Sequence, residues 1–146
     1  MIYYKDIYNK TCNINCPDGQ FISNLYPNFC LPCNVKCLRC TNNATYCSKC
    51  QVGYYLYVDS LLCIRKCPLG YFNDPILTPN NYLCTKCTPG CILCTGPTLN
   101  NCQTCTNVTT AGITTIYYKH QSMNSCVTTC TGGYYGYEVI NSCVLC

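Results

Sequence analysis

Charged side chains are scarce in this chain of 146 residues. Asp, Glu, Lys and Arg make up 10% of it, the formal net charge is +4, and no basic cluster exists beyond Arg65-Lys66. Nucleic acids and anionic membrane surfaces are therefore poor candidates as partners, because both are recognised by clustered positive charge. With only five acidic residues, the chain also lacks the grouped carboxylates that a calcium site requires.

Long apolar runs are missing as well. Leu, Ile, Val, Phe and Met are scattered singly, and eight prolines with nine glycines disfavour any amphipathic helix of about twelve residues or more. We expect no large hydrophobic core and little or no helix. No apolar run approaches the length of a membrane span, and residues 1–8 do not resemble a signal peptide. We therefore expect a mature or partial chain of a secreted protein.

Histidine is represented once, by His120, which lies in a polar segment. A general base needs a nucleophile within reach and a carboxylate to orient it, and the scattered acidic residues form no such group. We interpret His120 as a surface residue and expect neither enzymatic activity nor a cofactor. The many C-x2-C pairs do not change this, because thioredoxin-like redox chemistry needs one such pair at the start of a helix.

Cysteine, in contrast, is abundant, with 20 residues. At this density it serves either disulfide bridges or metal binding, and the cellular compartment decides between them. Three sequons, Asn9-Lys-Thr11, Asn43-Ala-Thr45 and Asn107-Val-Thr109, permit N-linked glycans and indicate the secretory pathway. We therefore favour disulfides in an extracellular or cell-surface protein. An intracellular zinc protein is the chemical alternative, since paired C-x2-C knuckles can hold zinc, although the single histidine and the low charge argue against it.

The cysteines follow a repeat. Residues 30–50 carry six of them in the spacing C-x2-C-x3-C-x2-C-x6-C-x2-C, and residues 84–105 repeat it with the fourth gap one residue longer. A C-x3-C pair opens each period, at Cys12, Cys63 and Cys126. We therefore divide the chain into the tail of a preceding repeat (1–12), a first repeat (12–63), a second repeat (63–126) and a truncated third repeat (126–146).

Short strands are expected between the cysteine clusters. Aromatic and β-branched residues alternate around residues 54–58 and 134–139, and the Pro-x-Gly and Asn-rich gaps supply turns. The Thr-rich residues 104–115 are interpreted as a solvated loop. Aromatic residues follow each opening pair, and we expect Phe21, Phe72 and Tyr135 to lie over a disulfide bridge.

The C-x3-C-P-x-G-Y/F opening, followed by C-x2-C-x3-C-x2-C, resembles the furin-like or growth-factor-receptor type of cysteine-rich repeat over nearly the whole chain. The resemblance implies an extended rod of small tandem disulfide-bonded modules with short β-hairpins. It also implies the bridging pattern of that family, in which a module with two bridges alternates with modules of one bridge.

Carried over to this chain, the resemblance implies nine bridges. They join Cys16 with Cys30, Cys33 with Cys40, Cys37 with Cys47, Cys50 with Cys63, Cys67 with Cys84, Cys87 with Cys94, Cys91 with Cys102, Cys105 with Cys126, and Cys130 with Cys143. Cys12 and Cys146 are left without a partner. We favour a chain cut from a longer array, with their partners in neighbouring repeats. The alternatives are a bond between Cys146 of one copy and Cys12 of the next, which gives end-to-end assembly, and a different connectivity.

Two functions fit such a chain best. The first is a non-enzymatic structural segment of an extracellular protein (a stalk, surface coat, fibre or adhesion segment) that contacts neighbouring repeats of the same or an identical chain. The second is a receptor-type ectodomain that binds a protein ligand, which would need a contiguous exposed apolar patch. The zinc protein named above is the third possibility.

Overall fold

The fold of residues 2–26, 28–75 and 82–146 is described by a computed structural model. Within these ranges the regular structure consists of strands of two to four residues and two 3-10 helices, Leu99–Asn101 and Glu138–Ile140, with no α-helix. The strands, in chain order, are β1 Tyr4–Asp6, β2 Cys12–Asn13, β3 Gln20–Ile22, β4 Phe29–Pro32, β5 Cys37–Cys40, β6 Cys47–Cys50, β7 Tyr55–Tyr57, β8 Leu62–Ile64, β9 Tyr71–Asp74, β10 Leu83–Lys86, β11 Cys91–Cys94, β12 Cys102–Cys105, β13 Val108–Thr110, β14 Ile113–Thr115, β15 Tyr118–His120, β16 Ser125–Val127, β17 Tyr134–Tyr137 and β18 Ser142–Leu145. The expectation of short strands with little helix is confirmed.

Three sheets of four strands share one topology. Their strand orders are β2-β1-β4-β3, β8-β7-β10-β9 and β16-β15-β18-β17. In each sheet the strand that comes first in the chain pairs antiparallel with the second strand in the chain and parallel with the fourth. The parallel registers include Lys5↔Phe29, Leu83↔Leu56 and Lys119↔Ser142. One arrangement of strands therefore recurs once in each period of the sequence.

The Pro-x-Gly motif forms the turn that leads into the third strand of a sheet. The N–H of Gln20 donates to the carbonyl of Pro17 at 3.1 Å, and Gly19 between them has a φ of 83°. A type II turn requires a positive φ at its third residue, and glycine adopts that angle without a clash. The second period repeats this turn with Gly70 at a φ of 84°.

Two two-stranded hairpins carry the dense cysteine clusters. We call β5–β6 the first cysteine hairpin and β11–β12 the second. Each of their four strands begins and ends with a cysteine, so one C-x2-C pair of the sequence is one strand. The antiparallel registers place Cys37 opposite Cys50 and Cys91 opposite Cys105, with irregularities inside both ladders. Seven of these eight cysteines are buried, and Cys105 is partly exposed.

A further hairpin, β13–β14, corrects the expectation of a loop over residues 104–115. Its strands pair antiparallel, and the hydroxyls of Thr109 and Thr114 on opposite strands lie 2.9 Å apart. The two turn residues, Ala111 and Gly112, have φ angles of 50° and 81°, which is the geometry of the type I′ turn that suits a two-residue hairpin. The β-branched residues on both sides of Ala-Gly are the sequence feature that predicts this hairpin.

The described residues divide into two compact units, Met1–Cys67 with Asp74–Cys84, and Pro68–Asn73 with Thr85–Cys146. The core cluster of the first unit contains two apolar side chains, Phe21 and Leu56, with five cysteines, namely Cys37, Cys40, Cys47, Cys50 and Cys63. That of the second unit contains Phe72 with four cysteines, namely Cys91, Cys94, Cys102 and Cys126. Both clusters consist mainly of cysteine side chains, so the expectation of no large hydrophobic core is confirmed for the residues that the structure describes.

The aromatic residues after the opening pairs differ in burial. Phe21 and Phe72 are 9% and 7% exposed and pack within the two cysteine clusters, as expected. Tyr135 is 49% exposed and belongs to neither cluster, so its contact with a bridge stays a prediction. Phe21 is covered because a cysteine hairpin follows its sheet, whereas no hairpin follows β18 in the part of the chain that the structure describes.

Replacing Phe72 by alanine should lower the free energy of unfolding by about 3 kcal/mol, because the change leaves a cavity beside four cysteines. The matched control is Tyr135→Ala, at the equivalent but exposed position, for which we expect a change within about 0.5 kcal/mol. Guanidinium unfolding under non-reducing conditions measures both. Equal effects of the two substitutions would contradict the assignment of Phe72 to a core.

Candidate functional site

The disulfide bridges are the chemical centre of this fold. The structure joins the cysteines in nine pairs, with Cα atoms between 5.2 and 5.8 Å apart, inside the range that an unstrained bridge occupies. The pairs are Cys16–Cys30, Cys33–Cys40, Cys37–Cys47, Cys50–Cys63, Cys67–Cys84, Cys87–Cys94, Cys91–Cys102, Cys105–Cys126 and Cys130–Cys143. These are the pairs that the family resemblance implies.

Cys12 and Cys146 carry exposed free thiols. The backbone around Cys146 matches that of two bridged cysteines. Its N–H donates to the carbonyl of Gly133 at 2.9 Å, as the N–H groups of Cys33 and Cys87 donate to the carbonyls of Gly19 and Gly70 at 2.7 and 2.8 Å. Cys12 lies opposite Lys5 of β1 in the strand pairing, just as Cys63 of the next period lies opposite Leu56 of β7. The two thiols therefore occupy positions at which other periods of the chain form bridges.

Each cysteine hairpin brings two different bridges into contact. The sulfurs of Cys91, Cys102 and Cys126 lie within 4.8 Å of one another, and so do those of Cys37, Cys47 and Cys63. The bridges concerned are Cys91–Cys102 with Cys105–Cys126 in the second hairpin, and Cys37–Cys47 with Cys50–Cys63 in the first. We call Cys91, Cys102, Cys105 and Cys126 the second sulfur cluster, and Cys37, Cys47, Cys50 and Cys63 the first. Zinc binds thiolates, and sulfurs that are bonded in pairs offer none.

The two sulfur clusters differ in the residue opposite their last cysteine. Lys119 pairs with Cys126 in the second, whereas Leu56 pairs with Cys63 in the first. The Lys119 ammonium donates to the carbonyl of Cys102 and, at 3.3 Å, to the Asn124 side chain. Partial burial lowers the pKa of Lys119 because it removes water from the ammonium. A cation therefore lies beside the second cluster, at a position where the first has an apolar side chain.

His120 is buried, with 6% of its surface exposed, so its interpretation as a surface residue is wrong. Its ring lies 5.1 Å from the ring of Tyr134, and its Nδ1 is 3.1 Å from the hydroxyl of Ser122. The alternation of β15 explains the burial, because His120 and Lys119 point to opposite faces of that strand. The partners of His120 are a hydroxyl and an aromatic ring, and such partners indicate a structural role for this residue.

Asp6 is a buried carboxylate that sequence reasoning did not single out. It is 1% exposed and accepts hydrogen bonds from the Gln20 side chain at 2.9 Å, from the Tyr8 N–H at 2.8 Å, and from the Asn9 N–H and side-chain amide. The bond from Gln20, followed by that from Tyr8, holds the pKa of Asp6 below its usual value. Asp6 therefore ties the β1–β2 turn to β3.

The three sequon asparagines are exposed, but their side chains differ in what they bind. The Asn43 carbonyl accepts from the N–H and hydroxyl of Thr45, at 3.0 and 3.1 Å, so the sequon forms a compact turn. The Asn9 amide nitrogen donates to Asp6 at 3.1 Å, and the Asn107 carbonyl accepts from the N–H of Tyr117 at 3.2 Å. Glycosylation at these positions stays a prediction.

A cleft of about 520 Å³ borders the first cysteine hairpin. Its lining includes Phe21 and the ion pair between Arg39 Nε and Asp18 Oδ1, which are 2.6 Å apart. Both charged side chains are more than half exposed, so the pair contributes at most about 1 kcal/mol to stability.

Among the described residues, no helix is long and apolar enough to cross a membrane.

Successive small modules, each closed by its own bridges, define this chain as a tandem cysteine-rich repeat protein. No protein-family model matches it. It is 33% identical over 100 residues to "Proprotein convertase subtilisin/kexin type 5" of Rattus norvegicus, covering 68% of this chain. It is also 32% identical over 122 residues to "Cysteine repeat modular protein 2" of Tetrahymena thermophila, and 30% identical over 131 residues to "Furin-like protease 2" of Drosophila melanogaster, covering 83% and 90% of this chain.

The chain belongs to the furin-like cysteine-rich repeats. It spans 5%, 6% and 7% of the lengths of these three relatives, so it corresponds to a small part of each.

The stability contributed by Asp6 should depend on pH. Because its pKa is lower in the folded state than the unfolded value of about 3.9, the contribution is complete above that value and is lost as the pH falls through the folded pKa. The Asp6→Asn variant should be less stable than the wild type at pH 6, and the gap should narrow below pH 4. Thermal unfolding over this range measures it, with the exposed Glu138→Gln as control. A gap that does not change with pH would contradict the assignment.

Proposed function

We propose that the chain is an extracellular, non-enzymatic segment with a mechanical function, such as a stalk, surface coat, fibre or adhesion segment. The observation that supports this most is the succession of nine bridges, which close sequence separations of only 7 to 21 residues. Short covalent loops limit how far a backbone extends under load and how widely it opens to a protease. The one histidine is held between Ser122 and Tyr134, which supports a structural role for it.

The proposed compartment rests on the same bridges. Disulfides persist in oxidising environments and are rare in the cytosol. Exposed sequons at Asn9, Asn43 and Asn107 agree with passage through the secretory pathway, where N-linked glycans would shield the backbone from proteolysis. We place the protein outside the cell or at its surface on these grounds.

The proposed partners are neighbouring repeats of the same chain or of an identical one. Cys12 and Cys146 are exposed, and each occupies a position that forms a bridge in other periods. Covalent assembly through these thiols would extend the series of modules end to end.

A receptor-type ectodomain is the second candidate function, and the cleft with Phe21, Asp18 and Arg39 favours it. A protein ligand would insert an acidic or aromatic side chain there and displace the exposed ion pair. The folded, labelled chain should then bind cells saturably, and Arg39→Glu should abolish binding while Lys49→Glu, on the neighbouring strand, should not. Absence of saturable binding would contradict the receptor function.

Thiol labelling of the native protein tests the proposed covalent framework. In the monomer, a membrane-impermeant thiol reagent should modify two cysteines before reduction, Cys12 and Cys146, and all 20 after reduction in denaturant. In the Cys12→Ser/Cys146→Ser variant the native label should vanish, together with any oligomer on a non-reducing gel. Labelling of all 20 cysteines in the native state would contradict the framework and favour a zinc protein.

Enzymatic deglycosylation tests the compartment separately. The chain secreted from a eukaryotic host should lose mass on treatment with a glycosidase specific for N-linked glycans. The Asn43→Gln variant should lose less mass than the wild type, because its sequon forms an accessible turn with Thr45. If the wild type loses no mass, the glycosylation proposal is wrong, whatever the state of the bridges.

A further inference from the structure

Two separate bridges lie unusually close together in the second sulfur cluster. The sulfurs of Cys102 and Cys126, which belong to different bridges, are 3.1 Å apart and are buried. Thiol–disulfide exchange proceeds when a thiolate reaches the sulfur of a bridge, so a thiolate formed at Cys126 would already be at reacting distance from Cys102.

The other two cysteines of the cluster are also placed to bond. Cys91 and Cys105 lie opposite each other on β11 and β12, and the N–H of Thr106 donates to the carbonyl of Gly90 at 2.8 Å. This hydrogen bond marks Cys91 and Cys105 as a non-hydrogen-bonded pair, the kind of pair whose Cα atoms are about 4.5 Å apart in a regular ladder. That separation lies within the range that a bridge accepts. The alternative pairs, Cys102 with Cys126 and Cys91 with Cys105, therefore need little backbone movement.

Access and charge distinguish the second cluster from the first. Cys105 is partly exposed, whereas its counterpart Cys50 is 6% exposed and buried in the core cluster. The ammonium of Lys119 lies on the carbonyl of Cys102, where it would stabilise a thiolate formed nearby. Leu56 stands at that position in the first cluster. An external thiol can therefore reach the second cluster more easily, and a thiolate is better stabilised there.

We propose that the second sulfur cluster is a thiol-exchange site, at which a small monothiolate interconverts two bridge pairings while the hairpin stays closed. The monothiolate attacks Cys105, bonds to it and breaks the Cys105–Cys126 bond, whose electron pair leaves on Cys126. The Cys126 thiolate attacks Cys102, forming Cys102–Cys126 and releasing Cys91 as a thiolate. Cys91 then attacks Cys105, forms Cys91–Cys105 and expels the monothiolate. Two bonds break and two form, so no net oxidation or reduction occurs.

The exchange preserves the links that the fold needs. In both pairings one bridge closes the β11–β12 hairpin and the other joins that hairpin to β16. Thiol attack at Cys105 would thus produce an isomer instead of a free end, and the cluster would recapture the thiolate that it releases. Lys119 acts here as a positioning residue, because it touches the cysteine backbone and not the reacting sulfur.

Double variants test whether the alternative pairs can form. Cys91→Ser/Cys105→Ser leaves Cys102 and Cys126, which should bond to each other in the folded protein. The matched control, Cys105→Ser/Cys130→Ser, leaves Cys126 and Cys143 on β16 and β18. Strand β15 separates these two strands, so the cysteines are about 10 Å apart and should not bond to each other. Peptide mapping and thiol counting are the measurements. Free thiols at Cys102 and Cys126 in a folded variant would overturn the proposal.

The wild-type protein tests the exchange itself and does not depend on how the variants fold. Incubation of the native protein with substoichiometric glutathione at pH 8, followed by acid quench and non-reducing peptide mapping with backbone fragmentation, should reveal Cys102–Cys126 and Cys91–Cys105 pairs. At least about tenfold less exchange should occur between Cys37, Cys47, Cys50 and Cys63, because that cluster is buried and lacks the cation.

Lys119 supplies the last comparison. Lys119→Leu, which copies the first cluster, should slow the exchange about threefold or more, and Lys119→Arg should retain it. Three results would contradict the proposed site. The first is that only native pairs are found after incubation, and the second is equal exchange in the two clusters. The third is an unchanged exchange rate in Lys119→Leu when the thiol reaches the clusters of the variant and of the wild type equally well.

Discussion

A disulfide bridge holds two Cα atoms at a nearly constant separation, here 5.2 to 5.8 Å, and the rest of the structure depends on nine repetitions of that constraint. Strands of two to four residues are too short to be stable alone, and the two core clusters contain few apolar side chains. Ordering one residue costs about 1–2 kcal/mol, while closing a loop of about fifteen residues contributes roughly 3 kcal/mol in the chain-entropy model. The bridges therefore do the work that apolar packing does in an ordinary domain.

The disulfide bridges also determine which backbone groups form hydrogen bonds where a cysteine hairpin meets the next sheet. Each cysteine hairpin docks on the next sheet through a backbone bond: the N–H of Cys47 donates to the carbonyl of Leu61 at 2.8 Å, and that of Cys102 to Asn124 at 3.0 Å. Both acceptors have positive φ angles, 56° and 47°, two residues before the cysteine that completes the link. A bridge and a hydrogen bond therefore secure each junction. The contact between two bridges, on which the proposed thiol exchange depends, results from this close docking.

Cysteine spacing was enough to predict the repeat, while the pairing of cysteines needed the family resemblance. The scattered apolar residues predicted the lack of a large core, and the alternating aromatic and β-branched residues predicted the short strands. The parallel pairing of β1 with β4 could not be predicted, because it depends on the backbone geometry of two segments that are far apart in the sequence. The burial of His120 was missed because a three-residue strand has too short an alternation to show which face is covered. In contrast, the β13–β14 hairpin was predictable from Val-Thr-Thr-Ala-Gly-Ile-Thr-Thr.

The central claim is that covalent bridges, and not apolar packing, hold this fold together. The most direct measurement is a two-dimensional ¹H–¹⁵N spectrum of the protein before and after complete reduction in the same buffer without denaturant. The account predicts dispersed amide resonances in the oxidised protein and collapse to the narrow range of an unfolded chain once all 20 cysteines are thiols. A spectrum that keeps its dispersion after complete reduction would contradict the account.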